Sequence, residues 1–166
     1  MINHVIPKPM KIEGYQLHRM VAELVNGFPA QFVDNGDHLL IRTNKPITSN
    51  GKEIKTPEQD AVIAFELKAS VVTRIGRKNI YPEINDWRIR REWLVAEGLK
   101  GGFEILAIHV TGDRQNIIAS DGRKFWIDST QFTGILKVVE KDKFSNVLAN
   151  GIGRVGKAFG MGMLVI

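Results

Sequence analysis

The stretch NGIGRVGKAFGMGMLVI, residues 150–166, decides between two folds. Its Gly151, Gly153 and Gly156 spell G-x-G-x-x-G, a turn that binds dinucleotides when a strand leads into it and a helix opens from it. Here the preceding KDKFSNVLAN reads as a helix, and ten residues of mostly small and apolar type follow. No βαβ unit fits, which excludes the doubly wound dinucleotide fold. What remains is a loop with five glycines (151, 153, 156, 160 and 162) and two cations, Arg154 and Lys157. Glycines let backbone N–H groups come close to an anion, and the cations add charge, so a phosphate backbone is a candidate partner.

Working outward from the loop, FTGILKVV (132–139) and FEILAIHV (103–110) alternate as strands, and residues 111–130 read as a further hairpin. Asp86 is placed to cap the helix WRIRREWLVAEGL, where Trp87, Ile89, Trp93, Leu94 and Leu99 predict a broad buried stripe. AVIAFELKASVVTRI (61–75) reads as one long strand, and residues 75–79 as the basic tip of a hairpin that returns through Ile80 and Tyr81. In the first half, residues 2–8 form a strand, and YQLHRMVAELV after Gly14 has helical spacing that stops at Asn26-Gly27. AQFV and HLLIRT flank DNGD as a hairpin, and the polar residues 44–60 leave little room for a full second helix, with TPEQD suited at most to a single turn. The order is β-α-β-β-(short)-β followed by β-α-β-β-α-β, the split βαβ pattern used twice. The predicted class is α+β, with tandem ferredoxin-like (RRM-like) βαββαβ domains over 1–70 and 71–166, the N-terminal one reduced.

Composition narrows the function. The 166 residues hold no cysteine, which excludes disulfides, thiolate metal sites and cysteine nucleophiles and fits a cytoplasmic location. No apolar run reaches the ~18 residues of a membrane span, and the first residues lack a signal-peptide core, so no membrane partner is expected. The net charge is +5, and it is unevenly spread. From Lys68 to Arg91 the chain carries Lys68, Arg74, Arg77, Lys78, Arg88, Arg90 and Arg91 against Glu83 and Asp86, a local excess that points to nucleic acid.

Among the four histidines, His4, His38 and His109 have strand positions that suit structural or surface roles, and no pair has metal-ligand spacing; no metal and no cofactor is expected. His18 stands three residues after Tyr15, on the same face of the predicted first helix, with Gly14 before and Arg19 after. A helix N-terminus favours a phosphate, and imidazole moves protons near neutral pH. That set suits RNA cleavage by a ribose 2′-hydroxyl, although the spacing alone equally describes ordinary helix packing.

GYQLHRMV (14–21) and the terminal GIGRVGKAFGMGML together resemble the two signatures of the CasE family, the type I-E CRISPR endoribonucleases of the RAMP superfamily. FELKASVVTRIGRKN, REWLVAEGLKGGFEI and GILKVVEKDKFSNVLANGIG resemble further segments of that family, so the similarity spans nearly the whole chain. The resemblance implies that His18 is the general acid/base and Tyr15 its partner. It implies a CRISPR repeat stem-loop as substrate, cut at the base of its hairpin without metal, with the other subunits of a surveillance complex as partners. Arg74, Arg77 and Lys78 would lie along the RNA stem, with Arg19, Lys68, Gly151, Gly153, Arg154 and Lys157 as further RNA contacts. Residues 44–60 depart from the family, standing where a longer, helix-containing segment is usual. A non-catalytic RNA-binding subunit or regulator on the same fold is the alternative reading.

Overall fold

His4 sits at 0% exposure on the first strand and anchors the segment that stands where a second helix was not expected. The structure is a computed structural model that describes residues 1–9, 12–119 and 121–166. Its first unit runs β1 (Ile2–Pro7), α1 (Gly14–Leu24), β2 (Ala30–Asp34), β3 (His38–Thr43) and β4 (Lys52–Glu53). The sheet order is β2-β3-β1-β4, all antiparallel, the ferredoxin-like order with the crossover helix before β4 missing. The chain 44–51 instead folds back over β1. Thr43 donates its hydroxyl to Lys45 O, so it accepts from His4 Nε2, while His4 Nδ1 takes the Thr48 hydroxyl at 2.8 Å. A neutral imidazole satisfies both partners. Leu17, Val21 and Val25 of α1 and its C-terminal turn close the first core against Phe32, Leu39 and Ile41.

The second unit is complete: β5 (Val62–Ala69), a small hairpin β6 (Thr73–Ile75) and β7 (Lys78–Ile80), α2 (Trp87–Gly101), β8 (Phe103–Ile118), β9 (Lys124–Val138), α3 (Lys141–Asn150) and β10 (Leu164–Val165). The main sheet runs β10-β5-β9-β8, the same antiparallel order as the first. Its core joins Phe65, Leu67, Phe132 and Leu136 of the sheet to Leu94, Phe144 and Leu148 of the helices. The two sheets part between β4 and β5, so the strand 62–69, which the 1–70 division puts in the first unit, pairs within the second.

Three local expectations are corrected. The segment 61–75 is two strands, because Val71 turns its N–H to the Asp128 carboxylate and the chain leaves the sheet there. Residues 111–130 are no separate hairpin but the outer part of the long β8–β9 ladder, which continues in register from Thr111–Gln131 to Ile118–Lys124. On α2 the buried residues are Arg90, Leu94, Gly98 and Gly101, whereas Trp87 is 56% and Leu99 75% exposed. The small residues bring the helix close to the sheet: a Cβ at Gly98 would stand 2.7 Å from Phe103 O. Among the described residues, no helix is long and apolar enough to cross a membrane.

The two units are tied by buried polar contacts. Arg42 of β3 donates to Asn3 Oδ1 in its own sheet and to Leu148 O and Leu164 O in the other unit, at 2.9–3.2 Å. Burial holds this guanidinium down to a pKa of about 10. Gln31 adds a bond to Leu148 O. These contacts set α1 of the first unit beside the glycine loop of the second.

Candidate active site

Gly14 opens α1 with φ +56, and Glu13 at the N-cap position makes no side-chain capping bond. Backbone donors of the first turn are thus left without that cap, at the end of the helix where anions are favoured. Tyr15 and His18 follow within this stretch, their ring centroids 6.2 Å apart and tilted by 49°. Tyr15 is 40% exposed and His18 partly so, which leaves both rings accessible. Arg19 turns to solvent and pairs with Glu23 at 3.8 Å.

The glycine loop packs against this helix. Gly151 (φ +74) is forced: a Cβ there would lie 2.6 Å from Gly162 O and 2.7 Å from Gln31 Oε1. Gly160 (φ +77) is held under the Phe32 ring in the same way. The N–H groups of Gly151, Ile152, Phe159, Gly160, Met161 and Gly162 all donate to carbonyls of the protein itself. Those six serve the fold. The stretch 153–158, carrying Arg154 and Lys157, is the part of the loop left to meet an anion. On its far side the loop forms a third small core, Met161 with Ile117 and Ile127 of the long ladder.

The two loop cations face different depressions. Lys157 donates to Asn150 O at 2.8 Å and shares with His18 a depression of about 370 Å³, walled by Val25, Phe28, Ala30 and Phe32. Arg154 and Gly153 line a second, of about 360 Å³, together with Arg74, Asn79, Trp93 and Lys100. Arg74, Arg77 and Lys78 are all exposed on the β6–β7 hairpin, as the sequence leads one to expect. The structure therefore brings His18 to Lys157 and Arg74 to Arg154, with the glycine loop spanning the two pairs.

Lys68 stands apart from both. It is partly buried on β5, and burial lowers its pKa while Asp34 and Asp113 oppose that shift. Sequence reasoning missed three features of the site. Phe28 follows the Asn26-Gly27 helix stop, where an exposed aromatic would have been a signal. Lys45 lies over the Phe28 ring at 4.4 Å. Arg90, counted in the basic stretch, is instead buried with Asp128 beneath the hairpin's root.

A family model described as "CRISPR associated protein" matches residues 41–166. No curated protein matches the sequence at a significant level. The fold is similar to Thermus thermophilus Cse3 bound to an RNA representing a pre-cleavage complex, with a TM-score of 0.82 and 16% identity over 99% of this chain and 97% of that one. It is similar to the CRISPR-associated protein Cas6e from Escherichia coli str. K-12, with a TM-score of 0.80 and 18% identity over 99% and 98% of the two chains. A chain of a CRISPR RNA-guided surveillance complex matches with a TM-score of 0.71 and 19% identity, over 99% and 98%.

Proposed function

The chain belongs to the family of CRISPR associated proteins, as its resemblance to CasE leads one to expect, and from that premise we propose that it is a metal-independent endoribonuclease acting on CRISPR repeat stem-loop RNA. The observation that carries the reading is the shared depression of His18 and Lys157, which joins a proton-transfer group to a fixed cation. Its solved structural neighbours include an endoribonuclease bound to RNA and a chain of a surveillance complex, which supports an RNA substrate and protein subunits as partners. A cytoplasmic location goes with that role.

In the reaction, the ribose 2′-hydroxyl oxygen attacks the adjacent phosphorus and the P–O5′ bond breaks. The 2′-hydroxyl loses a proton and the 5′-oxygen gains one, giving a 2′,3′-cyclic phosphate and a 5′-hydroxyl. His18 serves as the general acid/base for this transfer, and Tyr15 orients the phosphate. Lys157 offsets the charge that grows on the phosphoryl oxygens. The basic hairpin with Arg74, Arg77 and Lys78, continued by Arg154, holds the A-form stem through its backbone, since such helices are read mainly by shape and phosphate. Arg19 flanks this surface as an additional cation, and Gly151 and Gly153 shape the loop that approaches the strand.

The test is cleavage of a labelled repeat hairpin from the same genome, in EDTA, by wild type and His18→Ala. A cut that drops by roughly 10²–10⁴-fold in the variant, with binding retained, is the expected result. Binding without a cut by the wild type would favour the non-catalytic RNA-binding subunit. No binding even at low salt, where phosphate contacts are strongest, would overturn the RNA reading.

A further inference from the structure

The depression that holds His18 has an apolar floor that proton transfer does not need. Val21 and Val25 come from α1, Ala30 and Phe32 from β2, and Phe28 from the turn between them. That turn is unusual. Val25 ends the helix, Asn26 (φ +48) and Gly27 (φ +78) are both left-handed, and Phe28 N–H returns to Val25 O at 3.0 Å. A non-glycine residue at positive φ is uncommon, although asparagine tolerates it best. The result is a phenyl ring held 40% exposed at the pocket wall, with the Lys45 ammonium 4.4 Å from its centroid.

Lys157 lines the depression, and Lys45 stands over one face of the Phe28 ring that helps to wall it. An apolar, aromatic-walled hollow with cations at hand suits a flat base and the phosphates attached to it. Base-on-aromatic stacking is a common device for holding an unpaired nucleotide, and a cation near the ring strengthens it. Double-stranded RNA cannot offer a base in this way, because its bases are stacked and paired.

We propose that Phe28 is a stacking platform for the unpaired nucleobase next to the cleaved bond, with Lys45 and Lys157 on its flanking phosphates. The inference rests on the endoribonuclease reading and adds to it a subsite that fixes which nucleotide sits at His18. The platform acts by positioning. A stacked base holds the ribose-phosphate at the histidine, and its loss leaves the stem bound but the scissile unit free to swing.

The experiment measures binding and cleavage of two sets of repeat RNA by wild type, Phe28→Leu and Phe28→Trp. One set is intact; the other carries an abasic ribose at the nucleotide on either side of the cleaved bond. Binding is read on RNA with a 2′-deoxy scissile nucleotide, which cannot react. Phe28→Leu should lose roughly five- to a hundred-fold in cleavage of intact RNA, the span of one stacking contact, and Phe28→Trp should retain it. On RNA abasic at the stacked position, wild type should fall to the level of Phe28→Leu, and the variant should fall no further. Phe28→Leu cleaving intact RNA like wild type, or the two losses multiplying, overturns the subsite while leaving the nuclease standing. Failure of the wild type to bind or cleave any of these RNAs overturns the nuclease reading and the subsite with it.

Discussion

Arg90 and Asp128 form an ion pair of 2.6 Å with 1% exposure on either side chain, directly beneath the root of the basic hairpin. Arg90 also donates to Thr130 Oγ1 and to Glu83 O, and the second Asp128 oxygen accepts from Val71 N–H and the Thr130 hydroxyl. One carboxylate thus fixes α2, β9 and the residue at which the chain leaves β5 for β6. Arg90→Met should destabilise the fold by about 3–5 kcal/mol, because it strands a buried charge. Asp128→Asn should cost a comparable amount, since it leaves the buried Arg90 cation unpaired and sets an amide NH2 where one acceptor oxygen stood. Urea unfolding of the two variants checks this; a loss below about 1 kcal/mol in either would mean that the pair contributes little.

The hairpin cations answer a different measurement. Replacing Arg74, Arg77 and Lys78 by Ala should weaken repeat RNA binding and lower the slope of log K against log salt by roughly one per phosphate contact removed. Their side chains are exposed, so thermal stability should change little. A weaker affinity with the wild-type slope would place these residues off the phosphates.

His4 predicts a pH effect on the first unit. Burial lowers its pKa below the ordinary 6.5. The unfolded chain therefore binds a proton near pH 6.5 that the folded one refuses, so stability is full above this pH and falls as pH drops toward the folded value. The bonds to Thr43 and Thr48 point the same way, since protonated Nδ1 has no lone pair for the Thr48 hydroxyl. Denaturant midpoints between pH 7 and pH 5 should decline in wild type and flatten in His4→Gln. An equal decline in both would assign it to other groups.

Gly151→Ala should cost about 1–3 kcal/mol from its backbone alone, since φ +74 with ψ 177 is a conformation reserved for glycine, and more from the approach to Gly162 O. It should also depress cleavage beyond what stability explains, because the same loop carries Lys157 to His18. A variant that is less stable yet cleaves at the wild-type rate would separate loop geometry from catalysis.

The succession of helices and strands, the capped α2, the basic hairpin and the α1 pair were legible because each rests on a local signal. Asp86 does accept from Ile89 N–H, and the helix stop at Asn26-Gly27 does fall at positive φ. What escaped depends on partners distant in sequence. Trp87 and Leu99 lie on the outside of α2 because Gly98 and Gly101 allow the other face to come closer to the sheet. Nothing in the periodicity marks Arg90 as a core residue; its partner lies 38 positions away. The long strand expected over 61–75 breaks at Val71 for the same reason, its N–H being claimed by a carboxylate 57 residues on. Phe28 sat in plain view as the residue after a helix stop, but nothing local says that a phenyl there lines the same hollow as a histidine.

The bonds from Arg42 to Leu148 O and Leu164 O span 106 and 122 positions of chain. A ribosome delivers α1 long before the loop that must lie against it, so the nascent first unit carries Tyr15 and His18 without Lys157 opposite. The hollow gains its wall from Lys157 and Ala158 only when that late segment has docked, a contact of high sequence separation and so slow to form. The hollow that holds His18 is thus a product of the whole fold and not of the first unit alone.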